Sequence, residues 1–205
     1  MQLREIHGII RRRMLVNYRV EPEIVHRLLP SKFRPKLHDG FAVAGICLIR
    51  LEQMRLRQVP SFLGMSSENA AHRIAVLWDD EQGRVREGVF VARRDTNSTM
   101  NTIAGGWLFP GEYHKANFRV TDSVASINFE MKSRDGEVAV RLRSKASTEF
   151  PANSKFANLK MASDFFEPGS LGYSVTRDRR RMNGMTLHTK TWRVEPLYVE
   201  ELYSS

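Results

Sequence analysis

Glu68 and His72 stand four residues apart in a segment of small and apolar residues, so on a strand they project from one face together with Ala70, Ile74 and Val76. A carboxylate and an imidazole entering one apolar cavity suit proton transfer. The plainer alternative has Glu68 ending a loop and His72 as an ordinary hydrogen-bonded side chain. Arg73 and Arg93 each point away from their immediate neighbours, and either guanidinium can clamp a substrate carboxylate through two parallel hydrogen bonds. Trp107, Phe109, Tyr113 and Phe118 are an aromatic group of the kind that lines a core or a cavity more often than it stacks on bases. Cys47, the one cysteine, sits in the apolar run from Phe41 to Leu51, where a small buried hydrophobe is a commoner role than a nucleophile.

Other chemistries lack their residues. The histidines at 7, 26, 38, 72, 114 and 188 have neither HExxH nor HxH spacing nor a cysteine partner, so neither metal nor cofactor is expected. Gly105 and Gly106 follow a helical stretch and read as its C-terminal cap rather than as a phosphate loop. The Gly-x-Ser-x-Gly elbow of the commonest serine hydrolases is missing.

The elements that must position these residues are mostly strands. Residues 9 to 20, 41 to 51, 69 to 78, 85 to 94, 115 to 121, 124 to 132, 137 to 147 and 185 to 195 carry β-branched or aromatic residues with partial alternation. Hairpin-sized turns at Asp79 to Arg84, Thr121 to Ser123 and Ser133 to Gly136 imply an antiparallel meander. Three helices are expected: Glu21 to Leu29 with Pro22 at its start, Thr96 to Ala104 capped by Asp95, and Ser154 to about Phe166. No repeat or linker divides the 205 residues, so one domain spanning 1–205 is expected, of class α+β, with the sheet curled over its own apolar face.

Lys and Arg total 32 against 23 Asp and Glu, a net charge of +9 that favours anionic partners. The arginines at 11 to 13 and at 177 and 179 to 181 cluster, whereas Arg141 and Arg143 alternate with apolar residues as on the wet face of a strand. With no disulfide framework, no secretory leader and no apolar stretch near the roughly 20 residues that cross a bilayer, a cytoplasmic protein that avoids membranes is expected.

The segments Gly88 to Ser98 (GVFVARRDTNS), Gly105-Gly106 and Leu108 to Ala116 (LFPGEYHKA) resemble the middle of an uncharacterised bacterial family typified by YqjF. Leu28-Leu29-Pro30, Gly40 to Leu48, and Ser67-Glu68-Asn69 with Arg73 extend the resemblance over roughly residues 12 to 197. The family has an acetoacetate-decarboxylase-like fold, so the resemblance implies a cone-shaped, mostly antiparallel β-barrel with about three peripheral helices and an interior cavity. In the decarboxylase a lysine forms a Schiff base with a β-keto acid beside an acidic residue; by position the resemblance implies Lys115 as that lysine and Glu68 as the acid. A Schiff-base lysine must be neutral near pH 7, about three units below its ordinary value of roughly 10.4. The flanking residues here are His114 and Ala116, so the adjacent second lysine of the decarboxylase is missing.

The first expectation is therefore a protein that holds a small apolar or anionic metabolite in a barrel cavity lined by His72, Arg73, Arg93, Trp107 and Tyr113. A Schiff-base decarboxylase or related lyase acting on a small keto acid through Lys115 and Glu68 ranks second, and nucleic-acid binding driven by charge ranks last. A homo-oligomer is compatible with all three.

Overall fold

The stretches rich in β-branched and aromatic residues form strands in the computed structural model, which describes residues 5–103, 111–176 and 181–205. In chain order these are β1 (Ile6–Val20), β2 (Arg34–Pro35), β3 (Leu37–His38), β4 (Phe41–Leu56), β5 (Met65–Asp79), β6 (Val85–Thr96), β7 (Tyr113–Asp122), β8 (Ser126–Ser133), β9 (Ala139–Ala146), β10 (Leu171–Val175), β11 (Met182–Thr186) and β12 (Leu197–Ser204). They join in one sheet whose main path is β1-β4-β5-β6-β7-β8-β9-β12.

The expected closed cone with about three peripheral helices is corrected. The path ends on β1 at one side and β12 at the other, and the sheet does not close. Register shifts interrupt β1 between His7 and Ile9 and between Ile10 and Arg12, and β12 between Val199 and Glu201. These bulges lie in the pairings of the two edge strands to β4 and β9 and add local twist there. The sheet is also mixed, because one edge of β6 is shared by two parallel partners: β10 along Val89 and Phe90, and β7 along Arg94 to Thr96. Among the described residues only two helices approach two turns, α1 (Pro22–Leu28) and α3 (Leu159–Phe166). Between them α2 (Thr99–Ile103) starts three residues later than expected, since Asp95 and Thr96 extend β6 instead of starting a helix. The cap of α3 is Asn158, whose side chain accepts a bond from the Met161 N–H (2.9 Å), and not Ser154.

Alternation in the long strands builds the core. Met14, Leu48 and Ala70 pack against Phe129, Met131, Val140 and Leu142 of β8 and β9, so the sheet curls onto itself there. Ile74, Val76, Trp78 and Phe90 continue the same face under α1 and Phe33. Strand partners directly opposite share a face, and the register thereby fixes what the other face carries. Asn17 lies opposite Gly45, Gly45 opposite Arg73, and Arg73 opposite Val91. The next row runs Leu15, Cys47, Ala71, Arg94, Tyr113, and the third Arg13, Ile49, Asn69, Thr96, Lys115. Among the described residues, no helix is long and apolar enough to cross a membrane.

Candidate functional site

The two faces of the long strands divide their charges. On the curled, core-packed face stand Glu68, His72, Arg93 and Asp95, opposite Arg50, Ile46, His72 and Ala70 in the register. Glu68 takes a 2.6 Å bond from Arg12, with Arg50 at 3.7 Å, and Arg12 also reaches Asp122 at 2.9 Å. Burial pushes the Glu68 carboxyl above its ordinary value, and the two guanidinium groups pull it partway back. Asp95 has no exposed surface. Arg93 grips it through Nη2 at 2.8 Å and Nε at 3.0 Å, and His72 Nε2 lies 3.2 Å away. Burial alone would raise the Asp95 carboxyl, but bonding and attraction to His72 and Arg93 outweigh it and hold the group below its usual range. The same Arg93 reaches across to Asp135 (2.7 Å) and Glu137 (2.6 Å) in the β8–β9 hairpin turn, where His114 also meets Asp135 at 3.0 Å. Arg93 is therefore committed to three carboxylates and staples a hairpin tip to β6.

The opposite face is cationic. Arg73 is 5% exposed, and among the described residues no carboxylate pairs with it. Its Nη2 donates to Asn17 Oδ1 at 3.1 Å, while Nη1 is buried without a hydrogen-bond partner. Burial, reinforced by nearby Arg13, works against its charge. The end of α3 and the segment after it cover it: the guanidinium carbon lies 5.5 Å from the centre of the Phe166 ring, and a Cβ on Gly169 would stand 3.7 Å from Nη1. Cys47 is buried on this face, and both Arg73 and Arg94 feel its thiol electrostatically. The Arg94 guanidinium lies 6.0 Å from the centre of the Tyr113 ring, and burial pushes the Tyr113 hydroxyl up to about 12.

Gly111 comes down beside them in the left-handed region (φ +104°), where a Cβ would meet Ser174 Cβ at 2.9 Å and Arg94 Nε at 3.5 Å; only glycine fits. The Ser174 hydroxyl and Arg13 Nε are buried without hydrogen-bond partners, and Arg13 stacks over Trp192 at 5.4 Å. Buried donors left unsatisfied are rare in folded chains and call for a reason. Among the described residues three of these atoms, on Arg13, Arg73 and Ser174, belong to this face and three, on Arg12, His72 and Ser144, to the core-packed one. A groove of about 2380 Å³ runs along the edge of β1, lined by Arg13, Asn17, Ser163, Phe166 and Trp192 among others. Asn17 and Phe166, two side chains that touch Arg73, are among its lining residues.

Lys115 sits at the rim of the cationic face, donating to Asn97 O and to Thr99 Oγ1 (2.7 Å). Burial and nearby Arg134 hold its ammonium below the ordinary value. The register places Lys115 with Thr96 and Asn69, and Glu68 with Arg50 and Arg12 on the reverse face. The structure thus brings Arg73, Tyr113 and Lys115 to one face and Glu68, His72 and Arg93 to the other. Trp107 lies outside the described residues. Cys47 is buried, as expected of a small hydrophobe in an apolar run, and Arg94, on the same face, was not singled out although the rule that neighbours face opposite ways, applied to Arg93-Arg94, points to it. Among the described residues, no three His, Cys, Asp or Glu side chains are grouped to hold a metal ion.

Comparison with known proteins fits this architecture. The model of the family DUF2071, described as an uncharacterized conserved protein, matches residues 10–203. The crystal structure of acetoacetate decarboxylase from Legionella pneumophila subsp. pneumophila str. Philadelphia 1 superposes with a TM-score of 0.56 at 15% identity, covering 95% of this chain and 72% of that one. An acetoacetate decarboxylase-like enzyme from Sphingomonas wittichii RW1 matches at 18% identity over 68% of this chain and 57% of its own, with a TM-score of 0.47. No curated protein matches.

Proposed function

For this chain, which belongs to the DUF2071 family and shares its fold with acetoacetate decarboxylase, we propose the binding of a small carboxylate on the cationic face, with the anion seated on Arg73. The observation that carries the reading is the Arg73 guanidinium: buried, without a carboxylate partner among the described residues, and with one nitrogen making no hydrogen bond. An isolated charge costs several kcal/mol to bury. A site that keeps one gains by accepting an anion that supplies the missing bonds, and a carboxylate matches the fork of a guanidinium. Charge nearby favours the same class of ligand, since the groove that includes Asn17 and Phe166 is also lined by Arg13.

The test is thermal unfolding against a panel of acetate, pyruvate, acetoacetate, benzoate and inorganic phosphate. A ligand at 100 times its Kd stabilises by about 2.7 kcal/mol. At least one carboxylate should raise Tm in a saturable way in the wild type and leave Arg73→Met unmoved. A panel without effect, or a shift that survives Arg73→Met, rejects the reading.

One observation favours a second reading, a Schiff base on Lys115: the lysine shares a face with Arg73, and its ammonium is held below the ordinary value. The acid of such a reaction would not be Glu68, which lies on the reverse face bound to Arg12. Borohydride reduction with pyruvate or acetoacetate should then leave a covalent adduct by intact mass. An adduct that persists in Lys115→Ala, or none at all, removes this reading.

A further inference from the structure

The free edge of β1 is protected at both ends and open between them. Bulges between His7 and Ile9 and between Ile10 and Arg12 twist its first half, and further on the Tyr18 hydroxyl meets Ser204 Oγ of β12 at 2.9 Å. From Arg12 to Asn17 the strand keeps unbroken register with β4, while among the described residues no strand pairs with its other side. Alternate residues of a strand turn their N–H and C=O groups to opposite sides, so a run of about 20 Å presents an open ladder. All six residues of that run line the groove of about 2380 Å³, which residues 183–197 also line without pairing with β1. Pockets for small molecules hold roughly 300–1,000 Å³. The groove therefore has the capacity of a polypeptide segment.

Its charges are one-sided. Six Lys and Arg side chains line it against two Glu, and both acids are already bonded, Glu5 to Arg57 (3.0 Å) and Glu195 to Arg193 (2.9 Å). Arg11, Arg13 and Lys190 have no ion pair among the described residues. Arg13 belongs to the open run itself, and its Nε is buried without a hydrogen-bond partner beside the Trp192 ring. Val16, Phe150, Leu197 and Val199 supply apolar surface between the charges.

We propose that the groove receives an extended acidic segment of another protein, which adds as a strand to β1 along Arg12 to Asn17 and sets a carboxylate against Arg13. Main-chain bonds to the open ladder give affinity, and acidic side chains alternating with apolar ones give selectivity. Six residues is the length of an ordinary strand. Docking here is independent of a carboxylate at Arg73, and either can fail without the other.

The test is selection of a displayed library of random decapeptides on the immobilised full chain. Enriched sequences should carry Asp or Glu alternating with β-branched or aromatic residues and should lack proline. A synthetic peptide of the consensus is then N-methylated at its odd or at its even positions. The set of N–H groups that faces β1 should lose at least about tenfold in affinity when blocked, and the set that faces away should change by less than about threefold. In Arg13→Gln the unmodified peptide should bind about tenfold more weakly, the worth of one charge-assisted contact. If Arg13→Gln were to fold poorly, the two methylated peptides against the wild type still decide. A library without enrichment, a consensus without acids, or equal losses for both methylated sets overturns the proposal. Saturable binding of decanoate that no selected peptide displaces overturns it too, and gives the groove to an apolar ligand.

Discussion

Asp95→Asn should destabilise the protein by about 3 kcal/mol at pH 7, lowering Tm by roughly 9 °C. The carboxylate is fully buried, receives Arg93 through two nitrogens and has His72 Nε2 3.2 Å away. Removing one partner of a buried pair leaves the other uncompensated, typically at 3–5 kcal/mol; here Asp135 and Glu137 still face Arg93, which puts the cost at the lower end. The substitution keeps the side chain's shape, so the loss reports charge. Its pH dependence follows from the folded-state shift. The Asp95 carboxyl is held below 3.8, so its contribution is present above that value and is lost as pH falls through the lower folded one. The gap between wild type and variant, measured by chemical denaturation, should therefore be wide at pH 7 and narrow steadily below about pH 4. A gap that stays constant down to pH 2.5 would show that Asp95 is held by packing alone.

Much of this arrangement was legible in the residues. Period-two alternation located the long strands within a few positions, and the spacing of Glu68, Ala70, His72, Ile74 and Val76 put them on one face, which is the core face. The resemblance to the YqjF-like family agreed with the family match and with the fold. What could not be read was pairing. Asp95 looks like a helix cap because a short polar residue precedes Thr-Asn-Ser-Thr, yet Arg93 two positions earlier and His72 across the ladder turn it into a buried anion in a strand. β12 was hidden because its bulge between Val199 and Glu201 breaks the alternation of Leu-Tyr-Val-Glu-Glu-Leu-Tyr just where period two would be counted. Between His72 and Arg73 the register to β6 also slips by one, so His72 faces Arg93 while Arg73 faces Val91. That slip decides which arginine is stapled to three carboxylates and which is left alone, and no local pattern records it.

Arg73→Met should act in the opposite direction, raising Tm of the ligand-free protein by roughly 6 °C, equivalent to about 2 kcal/mol. Methionine is long and flexible enough to follow the aliphatic stem between Phe166 and Gly169, and it carries no charge to desolvate. The gain is reduced by the bond that Asn17 Oδ1 loses, although Asn17 keeps its own bond to Leu15 O. A stabilising loss of a polar side chain is the mark of a residue retained for binding rather than for folding. The two charge substitutions thus separate the faces: on the core face an arginine is consumed by internal carboxylates, and removing its partner costs stability; on the other face the arginine itself is the cost. Ligand should then close the difference. A carboxylate at 100 times its Kd contributes about 2.7 kcal/mol to the wild type and nothing to Arg73→Met, so the order of the two melting temperatures should reverse on titration. If Arg73→Met is instead less stable than the wild type without ligand, the guanidinium has a structural partner and the carboxylate site is not at Arg73.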